Sequence, residues 1–325
     1  MGRLLVTARL SDQGAVQRLR DAGHDVIERD DPRPAAPGEL RRLAAGRDGL
    51  LTLPADRIDA GFLDACPTVR MVANHAVGTD NVDLAAAAAR GVAVANTPGV
   101  LDDATADHCV ALALAAARRV AEGDRFVRAG RWDGFATDLL LGTDLRGATV
   151  GLVGLGGVGA AVARRLVAGF GMHGLYLARS RHADLERELG VAPAALGPLL
   201  SAADLVTLHV PLTDATRGVI GAAELARLRP GAVLVNISRG PIVDEGALVA
   251  ALREGRISAG LDVFDDEPLP AGHPLTALEN VVLTPHIASA GRLTRSRMAH
   301  LAVDNLLAMA EGRRPPAPVI GDWPG

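Results

Sequence analysis

An arginine, a glutamate and a histidine follow three apolar runs in this chain. The runs read Val-Leu-Val-Asn-Ile-Ser-Arg-Gly at 233–240, Leu-Asp-Val-Phe-Asp-Asp-Glu-Pro at 261–268 and Leu-Thr-Pro-His-Ile-Ala-Ser-Ala at 283–290. Such runs are buried parallel strands, and open α/β sheets bind ligands beyond the carboxyl ends of their strands. Arg239, Glu267 and His286 delivered to one edge form a site for a small acid with a reactive carbonyl. A guanidinium holds a carboxylate and polarises a carbonyl. An imidazole passes a proton near neutral pH, and a carboxylate partner keeps it charged and oriented.

A second cluster binds phosphates. Gly154-Leu-Gly-Gly-Val-Gly159 follows an apolar strand and opens an apolar helix ending near Phe170. Gly154 permits a tight turn, Gly156 admits a pyrophosphate close to the backbone, and Gly159 lets helix and strand approach. NAD sites place an acid on the next strand, about 20 residues on, for the ribose 2′-hydroxyl. Here that strand ends Tyr176-Leu-Ala178-Arg179-Ser180-Arg181, with no acid there. Arg179, Ser180 and Arg181 suit a 2′-phosphate, so NADPH is expected over NADH, with NAD possible.

Strands alternating with helices carry these groups, the pattern of parallel sheets covered by helices. A first series has strands at 4–8, 49–53, 69–74 and 92–95, with helices at 15–22, 60–66 and 84–90. A Pro-rich loop covers 30–37. Asn-Thr-Pro-Gly at 96–99 breaks the pattern and looks like a hinge, and one long Ala-rich helix is expected over 104–129. A second series has strands at 149–153, 175–178, 205–208, 233–237, 258–263 and 281–283, followed by a helix over 292–311 and a Pro-rich tail at 313–318.

The chain has 325 residues, enough for two domains, and 49% of them are apolar. With aromatics at 2%, packing must rest on Ala, Leu and Val. A net charge of −4 with scattered arginines argues against nucleic acid or an anionic membrane as a partner. Cys66 and Cys109 lie in apolar helical settings without metal-ligand spacing, and no His/Cys/carboxylate set has such spacing. No disulfide and no catalytic metal is therefore expected, and the compartment is a reducing cytoplasm. No signal peptide or membrane-length apolar run is read.

These cassettes together resemble the D-isomer-specific 2-hydroxyacid dehydrogenases from about residue 53 onward. Residues 74–81, 96–98, 103–107 and 269–274 are similar to the glyoxylate/hydroxypyruvate reductase branch. The resemblance implies two Rossmann-like, doubly wound parallel-sheet domains with the active site in the cleft between them. Residues 1–98 plus 287–325 would form a discontinuous substrate domain, and 99–286 the dinucleotide domain. It implies hydride transfer to C2 of a small 2-keto acid, with Arg239, Glu267 and His286 catalytic, His286 as general acid and a D-alcohol as product. Backbone N–H groups of Ala76, Val77 and Gly78 would hold the carboxylate, with Leu53 near C3. Arg239 and His286 would also touch substrate and cofactor. Asp262 would hold the nicotinamide carboxamide. Thr105, Leu155, Gly156, Gly157, Val158, Ala178, Val210, Pro211, Ile237, Ser238 and Ala288 would complete the cofactor site. The family also implies a homodimer.

Departures bear on substrate. Residues 131–142 are short where this branch often carries an extra aromatic, and in the family this loop reaches the partner's active site. Leu139–Leu141 there would admit a bulkier 2-keto acid. Residues 56–67 resemble phosphite dehydrogenases, but Ala76 stands where those carry lysine. Phosphoglycerate dehydrogenases commonly add a regulatory domain, for which the chain is expected to be too short. A dinucleotide-sensing corepressor shares the fold and the three residues, but its docking segments are not evident.

Overall fold

The computed structural model describes residues 1–322. Strands and helices alternate from the start: β1 (Arg3–Val6), α1 (Gln13–Asp21), β2 (Asp25–Glu28), α2 (Pro37–Ala44), β3 (Gly49–Thr52), α3 (Ala60–Ala65), β4 (Met71–Asn74), α4 (Leu84–Ala89) and β5 (Ala93–Ala95). Acidic side chains start several of these helices. Asp12, Asp59 and Asp83 accept from the N–H groups of Gly14, Phe62 and Ala86, which the first turn otherwise leaves without partners.

The chain leaves this unit at Leu101 and begins a second with α5 (Asp102–Ala117) and α6 (Val120–Arg128). There follow β6 (Thr149–Val153), α7 (Gly157–Ala163), β7 (His173–Leu177), α8 (Ala183–Leu189), β8 (Ala192–Pro193), α9 (Leu196–Ala202), β9 (Leu205–Leu208), α10 (Ala222–Arg227), β10 (Val233–Asn236), α11 (Glu245–Arg253), β11 (Ser258–Leu261) and β12 (Val281–Leu283). From Ala290 the chain rejoins the first unit with α12 (Arg292–Ala310) and β13 (Pro318–Ile320). Both crossings fall three residues beyond the expected breaks, at Leu101 rather than 98 and at Ser289 rather than 286.

The first unit's sheet has the order β13-β5-β4-β3-β1-β2, parallel except for β13. Apolar layers cover both faces, one built on Leu4, Val6, Leu51 and Val303, the other on Leu5, Leu50, Phe62 and Val72. The second sheet runs β12-β11-β10-β9-β6-β7-β8, all parallel, again with a core on each face. Its chain order reverses at β6, so the crevice beyond β6 is where a doubly wound sheet takes a ligand. No helix among the described residues is long and apolar enough to cross a membrane.

Two expected elements differ. The long helix over 104–129 is two helices, broken at Arg119, whose φ is 52°. The Arg119 guanidinium turns back onto Glu122 with two hydrogen bonds of 2.7 Å, and the Thr143 N–H takes up the freed Ala117 carbonyl. The Pro-rich tail runs directly into a strand, β13, because Asn305 accepts from Ala317 N–H and aligns the segment on β5.

Candidate active site

β10, β11 and β12 are adjacent and parallel, so their carboxyl ends share one edge of the second unit. Arg239 follows β10, Asp262 and Glu267 follow β11, and His286 follows β12. Gly240 sets the approach of two of these loops. A Cβ there would lie 2.0 Å from the Phe264 carbonyl carbon, so only glycine lets the Arg239 loop pass the segment leading to Glu267. The Asn236 side chain donates to the Arg239 carbonyl at 2.8 Å, and the Arg239 guanidinium donates to the Ser238 carbonyl at 2.7 Å.

His286 and Glu267 meet directly, Nδ1 to Oε2, at 2.7 Å. The other Glu267 oxygen accepts from the Phe264 N–H at 3.1 Å, which fixes the carboxylate's rotation. An ionised carboxylate only accepts, so Nδ1 carries the hydrogen and Nε2 is the nitrogen left to exchange a proton. Both side chains are about one-third exposed, open enough for a ligand to reach.

Asp262 is fully buried. Its Oδ1 accepts from Thr284 Oγ1 at 2.6 Å and from the Ile287 N–H at 2.8 Å, while Oδ2 accepts from the Ala288 N–H at 2.8 Å. Burial alone would raise this carboxyl. The donors His108, Thr284, Ile287 and Ala288 outweigh burial and hold it below the usual carboxylate range. In this arrangement Asp262, expected at the nicotinamide carboxamide, spends both oxygens on its own chain.

The glycine turn fits a dinucleotide. Gly154 has φ 100°, and its Cβ would sit 2.9 Å from the His209 carbonyl carbon. A Cβ on Gly159 would be 2.3 Å from the Gly154 carbonyl oxygen, and one on Gly157 would meet the Asp102 carboxylate. At Gly156 nothing lies within 4 Å of the same position, which leaves an open cradle at the helix start. Leu155 is buried below this turn and Val158 half-buried in it. Beyond α7 the helix continues as a wider π-type turn over Arg164–Gly169. Thr105 in α5 has a buried hydroxyl without a partner, a polar atom that a bound group would satisfy. Ser238 Oγ donates to the Val210 carbonyl and ties the loop after β9, with exposed Pro211, to the buried Ile237.

Past β7, Ala178 is half-buried and Arg179, Ser180 and Arg181 are exposed. Arg181 is paired with Glu186, at 2.8 Å from Nη2, and Tyr176 donates its hydroxyl to the same carboxylate at 2.6 Å. Arg179 has no ion pair among the described residues. Glu186 is a residue sequence reasoning missed; its one signal is its place in the first turn of α8, five residues after Arg181.

Leu53, Ala76, Val77 and Gly78 belong to the first unit. The carbonyls of Ala76, Val77 and Gly78 accept from the Thr97 N–H, the Asn96 amide and the Asn74 amide. Their own N–H groups donate to nothing among the described residues, so the turn presents an unfilled row of donors. Asn81 reaches from this loop to the Leu53 carbonyl at 3.1 Å. His75, beside the turn, is buried with both ring nitrogens unpartnered, and burial pushes its pKa down to about 4.

Known proteins share this pattern. The family model of the D-isomer specific 2-hydroxyacid dehydrogenase NAD binding domain matches residues 110–288. The glyoxylate reductase of Korarchaeum cryptofilum is 47% identical over 316 residues, covering 97% of this chain and 94% of that one. The glyoxylate reductase of Aeropyrum pernix is 49% identical over 298 residues, covering 90% and 89%. The NADPH-dependent glyoxylate/hydroxypyruvate reductase of Sinorhizobium meliloti, solved with NADP and malonate, matches with a TM-score of 0.85. It is 36% identical, over 98% of this chain and 96% of that one. A family model spanning more than half of the chain, and relatives this similar over nearly all of it, show that the chain belongs to the D-isomer-specific 2-hydroxyacid dehydrogenase family, in its glyoxylate reductase branch.

Proposed function

We propose that the chain reduces glyoxylate to glycolate, or hydroxypyruvate to its D-2-hydroxy acid, with NADPH preferred. The observation that carries this reading is the 2.7 Å His286–Glu267 pair on the edge that also bears Arg239. When bound, the reduced nicotinamide supplies the hydride. The residues of the chain manage charge and position. Arg239 grips the substrate carboxylate and polarises the carbonyl, so negative charge developing on oxygen meets a fixed cation. Glu267 holds Nδ1–H and stabilises the imidazolium, and Nε2 passes its proton to the forming alkoxide. In the first unit we propose the open N–H groups of Ala76, Val77 and Gly78 as a carboxylate-binding turn with Leu53 beside it. The Asp262 carboxamide contact keeps its support from the family resemblance alone.

Initial rates of NADPH and NADH oxidation with glyoxylate, hydroxypyruvate, pyruvate and a bulkier 2-keto acid test this. The two small acids with NADPH are expected to give the highest kcat/KM. Preference for the bulkier acid would move specificity to the 131–142 loop, and lack of turnover with every acid would overturn the reading.

The NADPH preference rests on Arg179, Ser180 and Arg181, and on the NADP held by the Sinorhizobium relative. Replacing Arg179 and Arg181 together by alanine is expected to weaken NADPH by about tenfold to a hundredfold, the size of charge-assisted hydrogen bonds to a phosphate. NADH should change little. Because Arg181 already has Glu186, the Arg179→Ala single change should account for the larger share of the loss. Equal losses for the two cofactors, read as dissociation constants, would remove the 2′-phosphate assignment.

A homodimer is part of the same proposal. Val120, Val127, Trp132, Phe135 and Leu141, all in α6 or the 131–142 loop, are exposed apolar side chains that a second copy would cover. The mass in solution measures this, and a monomer would contradict it.

A further inference from the structure

The backbone that carries His286 is held in a conformation it would not adopt alone. His286 has φ 52°, the left-handed region that side chains other than glycine and asparagine rarely enter. It persists only if the surroundings over-determine it. Asp262 does so with three successive peptide N–H groups. Its main-chain carbonyl accepts from His286 N–H at 2.9 Å, Oδ1 from Ile287 N–H and Oδ2 from Ala288 N–H, both at 2.8 Å.

Behind Asp262 the bonds run in one direction. The Thr284 hydroxyl has a single hydrogen, and at 2.6 Å it belongs to the Asp262 carboxylate, which can only accept. Thr284 Oγ1 therefore faces His108 Nε2, 3.0 Å away, as an acceptor, and His108 must carry its hydrogen on Nε2. His108 lies on α5, and α5 is pinned against β11. A Cβ on Gly260 would stand 2.9 Å from the Leu112 side chain, so helix and strand are in the closest contact glycine allows. A chain of hydrogen bonds thus leads from a packed helix, through the Thr284 donor to the Asp262 acceptor, and on to the loop of the histidine.

We propose that Asp262, Thr284 and His108 are positioning residues that aim the His286 imidazole at Glu267 and the substrate oxygen. The proposal rests on His286 being the general acid. It assigns a role to His108, which as a lone helix histidine gave no sequence signal, and a second task to Asp262.

Thr284→Val removes the hydroxyl and keeps the shape. It is expected to lower kcat with glyoxylate roughly thirtyfold, since misplacing a catalytic group by about an ångström costs on the order of a hundredfold. KM and the NADPH dissociation constant should stay within about twofold, and Thr284→Ser should restore kcat to within about twofold. The decisive arm is a double-mutant cycle with His286→Ala. If the network works through His286, Thr284→Val causes no further loss once the imidazole is gone. An equal further loss in that background would overturn the proposal, as would a Thr284→Val enzyme with unchanged kcat. If His286→Ala alone leaves kcat unchanged, the general-acid reading fails first, and the cycle shows that separately.

In the free protein the proton between His286 and Glu267 should give a downfield resonance, identified by its absence in His286→Ala. Thr284→Val should shift or broaden it, and an unmoved resonance would count against the network. Should Thr284→Val fail to fold, His108→Leu against His108→Gln repeats the comparison, because glutamine retains an N–H donor and leucine does not. Rescue of kcat by glutamine alone is expected, and equal kcat in both would overturn the role of His108.

Discussion

Replacing His286 with alanine is expected to lower kcat for glyoxylate by about two to four orders of magnitude, the range of general acid catalysis, with NADPH affinity unchanged. The size follows from how much of the site is arranged around this one ring. Glu267 takes Nδ1–H at 2.7 Å and is itself rotated into place by the Phe264 N–H. No other histidine is joined to this pair by a hydrogen bond or ion pair among the described residues. Without the imidazole the new alkoxide must draw its proton from water. The glycine turn, the open cradle at Gly156 and the Thr105 hydroxyl are untouched by the change, so cofactor binding should survive. Steady-state kcat alongside NADPH fluorescence titration reads both. A variant that keeps kcat within threefold would remove His286 as the acid.

Acidification is expected to destabilise the fold well above the range where carboxylates titrate. His75, in the first unit, is buried without a hydrogen-bond partner for either nitrogen; burial, reinforced by the Arg295 charge, depresses its pKa to about 4. His209, in the second, has a buried and unpartnered Nδ1 beneath the glycine turn, and burial depresses it to about 3. Both folded values lie below the 6.5 of an exposed imidazole, so between that value and about pH 4 the unfolded chain binds the extra protons. Stability is therefore fully present above pH 6.5 and is lost as pH falls. The slope is about 1.4 kcal/mol per pH unit for each histidine. Two pH units of acidification would remove roughly 3 kcal/mol per histidine, a large part of the ~5–15 kcal/mol that holds a domain together. Urea unfolding at a series of pH values from 7 to 4.5 measures the slope. His75→Gln should flatten it by that residue's share, and an unchanged slope would show that His75 is protonated in the folded state.

The chemistry-bearing ends of the strands could be read from residue order because each is a local event. Val-Leu-Val-Asn before Ile-Ser-Arg239, and Val-Val-Leu before Thr-Pro-His286, are runs whose apolar character makes the strand and whose polar successor marks its carboxyl end. The glycine turn was legible for a related reason: Gly154 takes the positive φ of a tight turn and Gly159 approaches the Gly154 carbonyl within that turn, although Gly154 also makes room for the distant His209 backbone. Other features depended on hydrogen-bond partners that periodicity does not reveal. Nothing around Arg119 predicts a left-handed residue; the break forms because Glu122 and the Thr143 N–H capture the groups that a continuous helix would have used. The tail at 318–320 became a strand only through Asn305 and the free edge of β5. Arg181 looked like an unpaired cation, but it and the Tyr176 hydroxyl both donate to Glu186.

The sequence by itself determined the strand–helix alternation, the dinucleotide turn and the places of Arg239 and His286 after their strands, while Glu267 was singled out from the acidic turn 265–267 by resemblance. Those depend on periodicity and on which residues stand at strand ends. Only the tertiary structure decided that Asp262 binds the peptide groups after His286, and that His108 supports it through Thr284. Hydrogen bonds that close across a sheet or join a helix to a distant loop, here 176 residues apart, have no local signature. They are set by packing, which places α5 against β11 and thereby brings His108 within reach of the histidine loop.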